Sequence, residues 1–357
     1  MKRLLIPLLL IVSYSSHAAS NKELNIFIAA NYLAPQTATS FKQSTGYEVI
    51  QNFFNENDVM LAKMAAGLNG YDLIVPTSYA VDQLEKMNKL QPLNLKKIPN
   101  LKYVDKQFLN LEYDKGNKYS VPYAYDNVFL AYNKKELNKL GIIPNTWAVI
   151  FDPKYLKKLH GRVTVFDSPR NVFAAALLYL GKDPNSSNMQ DLSQARDVII
   201  RATPYWKRFD SDSYTRNLAN GSIYVAMSYS VDIFKTLEDM KDGKQEINIG
   251  TMMQKEGNLY ELDNLVIPAS VRNTDAAYKF INYALLPKSA LELTTDTGAS
   301  IMNTEALKSV SPEIKDMDWI YPKDMSKMHT FKAYSPKIRI WLNETWLEIQ
   351  LNGSCSK

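Results

Sequence analysis

The chain has 357 residues, a formal net charge of +5 at pH 7 and 46% hydrophobic residues. This length predicts two domains with full hydrophobic cores. The positive charges are scattered as lysine pairs among many carboxylates, whereas a nucleic-acid-binding protein concentrates them on one surface, so we expect no nucleic-acid partner. The single cysteine, Cys355, excludes an internal disulfide bond.

Residues 1–18 have the pattern of a secretory signal peptide. Lys2 and Arg3 form a positive n-region, a short apolar stretch spans 4–12, and small residues lead up to Ala18, where we expect cleavage. The apolar stretch is too short to cross a bilayer, although a retained N-terminal anchor is the alternative. No cysteine near the cleavage point offers a lipid attachment site. The sequence therefore predicts a soluble periplasmic protein, not lipid-anchored, of about 339 residues with a net charge of +3 once Lys2 and Arg3 are lost.

Signals for catalysis are sparse. Outside the signal peptide the histidines are His160 and His329, and neither stands in a metal-ligand spacing. The chain also lacks a glycine-rich phosphate loop and a nucleophile elbow. We therefore predict a binding protein with no catalytic residue, no metal and no cofactor; an enzyme is the rival class.

Strands and helices alternate along the chain. The predicted elements of the first part are strands at 24–28, 47–53 and 72–75 and helices at 35–44, 55–66 (capped by Asn55) and 81–87. This βαβαβ order is typical of a doubly wound α/β domain. The elements predicted after it are strands at 128–132, 163–166, 223–227, 247–252 and 262–267 and helices at 154–158, 171–180, 191–201 and 274–286. A last helix starts at Pro336, and its predicted buried face comprises Ile338, Trp341, Leu342, Thr345 and Ile349.

The segment 71–79 contains an apolar run that suits a strand buried on both faces, and a proline ends it. Thr77 and Tyr79 then follow at the strand's carboxyl end, where ligands bind in open α/β sheets. Tyr229 and Asp232 likewise come just after a predicted strand. These positions predict a ligand site, with an ordinary strand–loop–helix junction as the alternative for 71–79.

Several motifs together point to a family. They include Val-Pro-Thr-Ser-Tyr at 75–79, Val-Pro-Tyr-Ala-Tyr at 121–125 and Leu-Gly-Lys-Asp-Pro-Asn at 180–185, with further segments at 24–35, 167–173, 217–232 and 276–283. In this order and spacing the chain resembles the periplasmic polyamine-binding proteins, the spermidine/putrescine receptors of ABC importers. The resemblance implies an α/β, two-lobe periplasmic binding protein (the type II solute-binding fold) that closes on a ligand in the cleft between its lobes and docks on an inner-membrane permease.

The resemblance also implies an organisation along the chain. The first lobe would comprise 19–127 and a return segment at 261–305, the second lobe would comprise 128–260, and 306–357 would pack across both. Two crossing strands would join the lobes. We expect a monomer.

A polyamine cleft needs a carboxylate near each ammonium group, since an unpaired buried charge is costly, and aromatic rings against the methylenes. The resemblance assigns Asp232 and Asp263 to the ammonium groups, Tyr229 and Tyr125 to the methylenes, and Thr77 with Tyr79 to one end of the ligand. Two further positions match ones that the family uses around its ligand: Tyr32 and Asp167.

The chain departs from the family pattern at several cleft positions. The family's Trp-[Ser/Thr]-[Asp/Glu]-Tyr signature reads Ala-Ala-Asn-Tyr at 29–32, so Asn31 replaces a carboxylate. Asn171 replaces another carboxylate, while Glu261 replaces an aromatic residue. The remaining departures are Ala299, which replaces a tyrosine, Tyr125, which replaces a tryptophan, and Asp126, which stands where the family has a small residue.

Two explanations remain open for these departures. A rearranged acidic set would still hold a polyamine of different length or bulk, which we favour. Alternatively, Asn31 and Asn171 would hydrogen-bond a neutral or zwitterionic ligand. A rival of another class is a ligand-sensing interaction protein that acts through a membrane sensor.

Overall fold

The computed structural model describes residues 22–354. The predicted signal peptide at 1–18 and Cys355 lie outside the described residues. Within the described range, no helix combines the length and the hydropathy that a membrane span requires.

The strands are β1 (Glu23–Ile28), β2 (Glu48–Phe53), β3 (Leu73–Ile74), β4 (Ser120–Asn133), β5 (Val163–Val165), β6 (Arg208–Phe209), β7 (Val225–Tyr229), β8 (Ile249–Met252), β9 (Asn258–Val266), β10 (Ser300–Ile301) and β11 (Met328–Thr330). The α-helices are α1 (Pro35–Thr45), α2 (Asn57–Ala65), α3 (Ser78–Lys86), α4 (Lys134–Leu140), α5 (Ala148–Phe151), α6 (Pro153–Leu159), α7 (Pro169–Tyr179), α8 (Met189–Ala202), α9 (Tyr214–Ala219), α10 (Ser230–Asp242), α11 (Thr274–Ala284), α12 (Pro287–Thr297), α13 (Pro312–Lys315) and α14 (Pro336–Ser354). Short 3₁₀ helices lie at 95–97, 99–103, 106–108, 115–117, 203–205, 306–308 and 325–327.

The strands form one mixed sheet with the order β2-β1-β3-β9-β4-β7-β5-β6. β1 pairs in parallel with β2 and β3 at one end, and β5 pairs in parallel with β6 and β7 at the other. The antiparallel pair β4 and β9 lies between these two ends. This is the α/β architecture predicted from the sequence.

The middle strands are almost entirely buried. β4 pairs with β9 over its first part and with β7 and β8 over its last part, so its partner changes near Val128. The sequence predicts a strand at 128–132, whereas β4 starts at Ser120 and includes Pro122, a residue that lacks the N–H a ladder needs. The structure accommodates this proline at a register shift between Pro122 and Ala124, where the ladder is already interrupted.

Two other boundaries differ from the prediction and affect the site. Helix α2 starts at Asn57 rather than after Asn55, and its N-cap residue Glu56 makes no side-chain capping bond. Strand β7 extends to Tyr229, so Tyr229 is its last residue and Asp232 lies in the first turn of α10.

The C-terminal region contacts the middle strand β9 and residues that follow strands from both ends of the sheet. β11 pairs in parallel with β9, and the Ser78 hydroxyl of α3 donates to the Phe331 carbonyl. Asn185 donates to the Thr330 carbonyl from the other side. In α14 the predicted face is buried at Ile338, Leu342, Thr345 and Ile349, whereas Trp341 is half-buried against the Phe173 ring. The predicted lobe boundaries themselves stay a prediction.

Candidate ligand-binding cavity

A cavity of about 350 Å³ lies beside the carboxyl ends of β1, β2 and β3. Because these strands are parallel, their carboxyl ends share one edge of the sheet. The loop after β1 contributes residues 29–32 to the lining, and the segment after β2 contributes Phe54, Asn55 and Asn57. β4 and β9 contribute their middle residues. The segment before α9 and the first turns of α10 complete the lining from the other end of the sheet.

Most of the predicted site residues line this cavity. They are Asn31, Tyr32, Asp126, Tyr229, Asp232, Glu261 and Asp263. Asn31 adopts a left-handed φ of 58°, which asparagine tolerates better than most residues, and its side chain is exposed at the rim. Ala29 also lines the cavity, whereas Ala299 is fully buried outside it.

Glu261 accepts three hydrogen bonds from residues far away in the sequence. Its oxygens accept from Asn57 Nδ2 at 3.1 Å, Asn171 Nδ2 at 3.2 Å and the Tyr229 hydroxyl at 2.9 Å. Burial raises the pKa of Glu261, although the bonds from Asn171 and Tyr229 act in the opposite direction. Asn171, where the resemblance implies a carboxylate, therefore donates to the carboxylate of Glu261.

Asp263 lies two residues further along β9 and on the same face, because side chains alternate along a strand. Its side chain is buried, and burial together with the Glu261 carboxylate raises its pKa well above the usual range. The Tyr32 hydroxyl faces Asp263 and Asp126, and it makes no well-formed hydrogen bond within the described residues. Burial and these two carboxylates raise the pKa of Tyr32, so it stays protonated as a donor.

Asp126 projects from β4 to the N-terminus of α10. It accepts from the Ser230 hydroxyl and from the Val231 N–H at 3.1 Å, so it satisfies donors of the first helical turn. Burial nevertheless raises the pKa of Asp126 to about 8. Nearby Asp232 also raises it, because two carboxylates close together disfavour each other's ionised form.

Asp232 and Tyr229 form the wall at the start of α10. Asp232 accepts from the Tyr214 hydroxyl at 2.7 Å, and burial raises its pKa. The Tyr229 ring stacks on Phe166 with centroids 4.4 Å apart and planes 18° from parallel. This stack holds an aromatic face at the cavity edge.

Glu56 lies between the lining residues Asn55 and Asn57 and was not proposed from the sequence. Burial, followed by the nearby Glu261 carboxylate, raises its pKa well above the usual range. Its Oε1 is buried without a partner in the described part of the chain. The signal was present in the sequence, because the polar run 55–58 directly follows β2 at the same sheet edge as 29–32.

Lys235 is the lysine that lines the cavity, and it pairs with Asp239 at 2.8 Å on α10. Two other lining residues of this wall, Ser211 and Asp212, were not singled out from the sequence. Among residues 22–354, no group of three or more histidine, cysteine or carboxylate side chains is arranged to hold a metal ion.

Two predicted residues of the segment 71–79 do not reach this cavity. Thr77 is fully buried, and its hydroxyl donates to the Leu262 carbonyl of β9, so it joins β3 to the middle strand. Its N–H donates to Asn57, which in turn donates to Glu261, so Thr77 positions the site indirectly. Tyr79 points into a different pocket, where its hydroxyl donates to Asp58 at 3.4 Å.

Tyr125 and Asp167 also lie outside the lining. The Tyr125 ring packs on Phe108, with centroids 5.8 Å apart, because its side chain points to the opposite face of β4 from Asp126. Asp167 is exposed and accepts from Trp346 Nε1 at 2.9 Å and from Gln350 Nε2 at 2.6 Å. In this structure Asp167 therefore docks α14.

Residues 36–322 match the bacterial extracellular solute-binding protein family. The chain belongs to this family. The putrescine/cadaverine-binding protein of Pseudomonas aeruginosa is 38% identical over 98% of this chain and 99% of its own length. The putrescine-binding periplasmic protein PotF of Escherichia coli is 32% identical over 96% of this chain and 95% of its own.

Solved structures agree with this assignment. The spermidine/putrescine ABC transporter substrate-binding protein PotD of Streptococcus pneumoniae superposes with a TM-score of 0.78 at 26% identity, covering 93% of this chain and 99% of that one. The family and the fold class predicted for this solute-binding protein are therefore confirmed. Its relatives are solute-binding transport proteins.

Proposed function

We propose that this solute-binding protein binds a polyamine in the cavity and delivers it to an ABC importer. The observation that carries the proposal is the number of carboxylates that line one cavity. Besides Asp212 and Asp239, these include four with pKa values raised by burial: Asp126, Asp232, Glu261 and Asp263. They face a single lining lysine, which is already paired with Asp239. Buried carboxylates in this number favour a ligand that brings more than one positive charge.

A cationic ligand would offset the free-energy cost of burying carboxylates that have no cationic partner. Burial raises the pKa of each of these four groups, and it raises that of Asp126 to about 8, so Asp126 holds a proton at neutral pH. An ammonium group nearby stabilises the ionised form. We therefore expect a diammonium ligand to bind with release of protons.

The apolar and aromatic lining suits the methylenes between ammonium groups. Tyr229, Phe54, Val75 and Ala29 line the same cavity as the carboxylates. A ring face also attracts a cation, contributing about 0.5–2 kcal/mol per good contact. The Pseudomonas relative is a putrescine/cadaverine-binding protein and the Escherichia coli relative a putrescine-binding protein, which supports the same ligand class.

The alternative of a neutral or zwitterionic ligand receives less support. It requires free amide donors, yet the Asn171 amide already donates to Glu261, Tyr229 and Ser168. Asn31 remains at the rim. A scaffold retuned to another ligand is therefore the second hypothesis, and a receptor that signals through a membrane sensor is the third.

The finer features of the proposal follow from the sequence and the family. We infer a periplasmic location after cleavage of residues 1–18, without a lipid anchor, and an inner-membrane ABC permease as the partner. We further infer a monomer that performs no chemistry on its ligand and needs no cofactor.

Calorimetry on the chain from residue 19 onward tests the proposal. Putrescine, cadaverine, spermidine and spermine are titrated in parallel, with 1,4-butanediol as the uncharged match for putrescine and γ-aminobutyrate as the zwitterionic match. We expect heat from at least one polyamine and none from the diol. Heat from γ-aminobutyrate, another amino acid or a sugar, with none from any polyamine, would show that the ligand class is wrong.

A further inference from the structure

A hydrogen bond between the two ends of the sheet crosses the mouth of the polyamine cavity. Asn55 Nδ2 donates to Asp212 Oδ1 at 2.8 Å, although 157 residues separate the two in the sequence. Both residues are exposed, and both line the cavity. Their bond therefore lies where the cavity meets solvent and not among the buried carboxylates.

The places of these two residues in the fold make the contact informative. Asn55 follows β2 and Asp212 follows β6, which are the outermost strands in the order of the sheet. Seven steps from strand to strand separate them, so a flat sheet would hold β2 and β6 roughly 34 Å apart. The few residues between each strand and the bond are too short to span that distance. The two ends of the sheet must therefore turn towards each other over the cavity.

The long middle strands connect these two ends beneath the cavity. β4 pairs with β9 over its first part and with β7 over its last part, so β4 belongs to both ends of the sheet. The C-terminal region also contacts both ends. Bending of the middle strands would move Asn55 away from Asp212 while the strands at each end keep their own pairing.

Neighbouring contacts cross the cavity in the same way. Burial and the Glu261 carboxylate raise the pKa of Glu56, whereas a hydrogen bond from Ser211 acts to lower it. Deeper in the cavity, Asn57 Nδ2 donates to Glu261 of β9. Each residue of the segment 55–57 therefore has a partner outside the first end of the sheet.

The Asn55–Asp212 bond forms without any contribution from a ligand. Its acceptor is a carboxylate, and a hydrogen bond to a charged acceptor is stronger than one between neutral groups. Because both side chains are exposed, solvent reduces that strength, so the bond can break and form again readily.

We propose that Asn55 and Asp212 form a latch across the mouth of the cavity, and that this latch slows the release of a bound polyamine. Which ligand is released rests on the proposed function, whereas the latch is a contact within the protein. Opening of the mouth breaks the same bond whichever diamine is inside. The latch should therefore lengthen the residence of putrescine and of cadaverine by the same factor.

Stopped-flow displacement on the chain from residue 19 onward measures the dissociation rates of putrescine and cadaverine. Asn55→Ala removes the donor without a change of charge and should speed dissociation of both diamines about 3- to 5-fold. The matched control is Asn138→Ala, which removes an exposed asparagine side chain from α4, outside the cavity lining. Its dissociation rates should stay within about 2-fold of those of the parent.

An exchange of the two side chains separates the latch from the charge of the mouth. Asn55→Asp combined with Asp212→Asn keeps the net charge and an amide–carboxylate pair, so dissociation should stay within about 2-fold of the parent rate. Asn55→Asp alone sets two carboxylates against each other. Small-angle scattering of the ligand-free proteins should then show a larger radius of gyration for Asn55→Asp than for the exchanged pair.

Unchanged dissociation rates in Asn55→Ala, or equally fast release from the exchanged pair, would overturn the latch. So would an effect of Asn55→Ala on only one of the two diamines, since that result would indicate direct contact with the ligand. If the parent protein binds no polyamine, the proposed function fails and scattering alone decides on the latch. Equal radii of gyration for Asn55→Asp and the exchanged pair would then overturn it.

Discussion

The polyamine cavity and the second pocket, which Tyr79 enters, have similar volumes, about 350 Å³ each, but opposite charge. One collects carboxylates from β4, β9 and α10, whereas the other collects guanidinium groups from α7 and α14. The first turn of α2 contributes to both, through Asn57 and Asp58. The two pockets therefore differ in the charge of the side chains that line them and not in volume.

The largest expected effect that separates the pockets is the loss of Asp263. Asp263→Asn should weaken diamine binding by about 3 kcal/mol, roughly 100-fold, because it removes a buried carboxylate that would pair with an ammonium group. Calorimetry with putrescine and cadaverine measures this.

The matched control for this variant is Asp242→Asn, which removes a carboxylate from an exposed position at the end of α10. Its diamine affinity should stay within about 2-fold of the parent protein. If Asp263→Asn and Asp242→Asn bind diamine equally well, the cavity described around β9 is not the polyamine site.

The acidic cavity should also make stability depend on pH. The folded pKa of Asp126 is raised to about 8, so its contribution to stability is complete below the unfolded value of about 4 and is lost as the pH rises towards 8. Each such group lowers the free energy of unfolding by at most about 1.4 kcal/mol for every pH unit in this window. Without ligand, urea unfolding should give a larger free energy at about pH 5 than at about pH 7.5.

Asp126→Asn distinguishes this effect from the general charge of the protein. Asparagine can still accept from Ser230 and Val231 but cannot ionise. The variant should therefore lose part of the pH dependence and gain stability at about pH 7.5 relative to the parent. An identical pH profile in both proteins would mean that Asp126 ionises normally.

A smaller effect is expected at Glu261, where the chain departs from the family pattern. Glu261→Gln removes the negative charge. It also places the glutamine N–H₂, a donor, opposite the Nδ2 donor of Asn57 or Asn171, so diamine affinity should fall roughly 10-fold. Calorimetry against the parent protein measures it. The double variant Asn171→Glu, Glu261→Gln returns a carboxylate to the family position, and recovery of affinity would show that only the location of the charge has moved.

The smallest effect concerns Asp167, which the resemblance assigns to the ligand and the structure assigns to α14. Asp167→Asn should lower the free energy of unfolding by about 1 kcal/mol, because the bond from Trp346 loses its charged acceptor. Diamine affinity should stay within about 2-fold of the parent value. A 10-fold or greater loss of diamine affinity with an unchanged free energy of unfolding would show that Asp167 contacts the ligand.

The fold was predictable because its signals are local. The apolar runs of β1 and β3, the caps of the helices and the order of elements all lie within short stretches of the chain. The family motifs, such as 75–79 and 121–125, are equally local. These motifs identified the scaffold, which the family match confirms.

The membership of the cavity was only partly predictable. Strand alternation alone places Asp126 and Tyr125 on opposite faces of β4, so the two could not both line one cavity. Both residues were proposed from the sequence, because the 121–125 motif identifies the strand but not the face on which each side chain lies. Thr77 was proposed as a ligand-binding residue because it follows β3, but its hydroxyl donates to the Leu262 carbonyl inside the sheet.

By itself, the sequence determined the α/β scaffold, its family and the stock of carboxylates at 126, 232, 261 and 263. Only the tertiary structure decided how those carboxylates are held: Glu261 is bonded by Asn57, 204 residues away, by Asn171, 90 residues away, and by Tyr229, 32 residues away. It likewise brought Arg170 and Arg339 together in a second pocket. The physical reason is that burial and hydrogen bonding depend on which side chains meet across the fold, and no local pattern encodes such meetings.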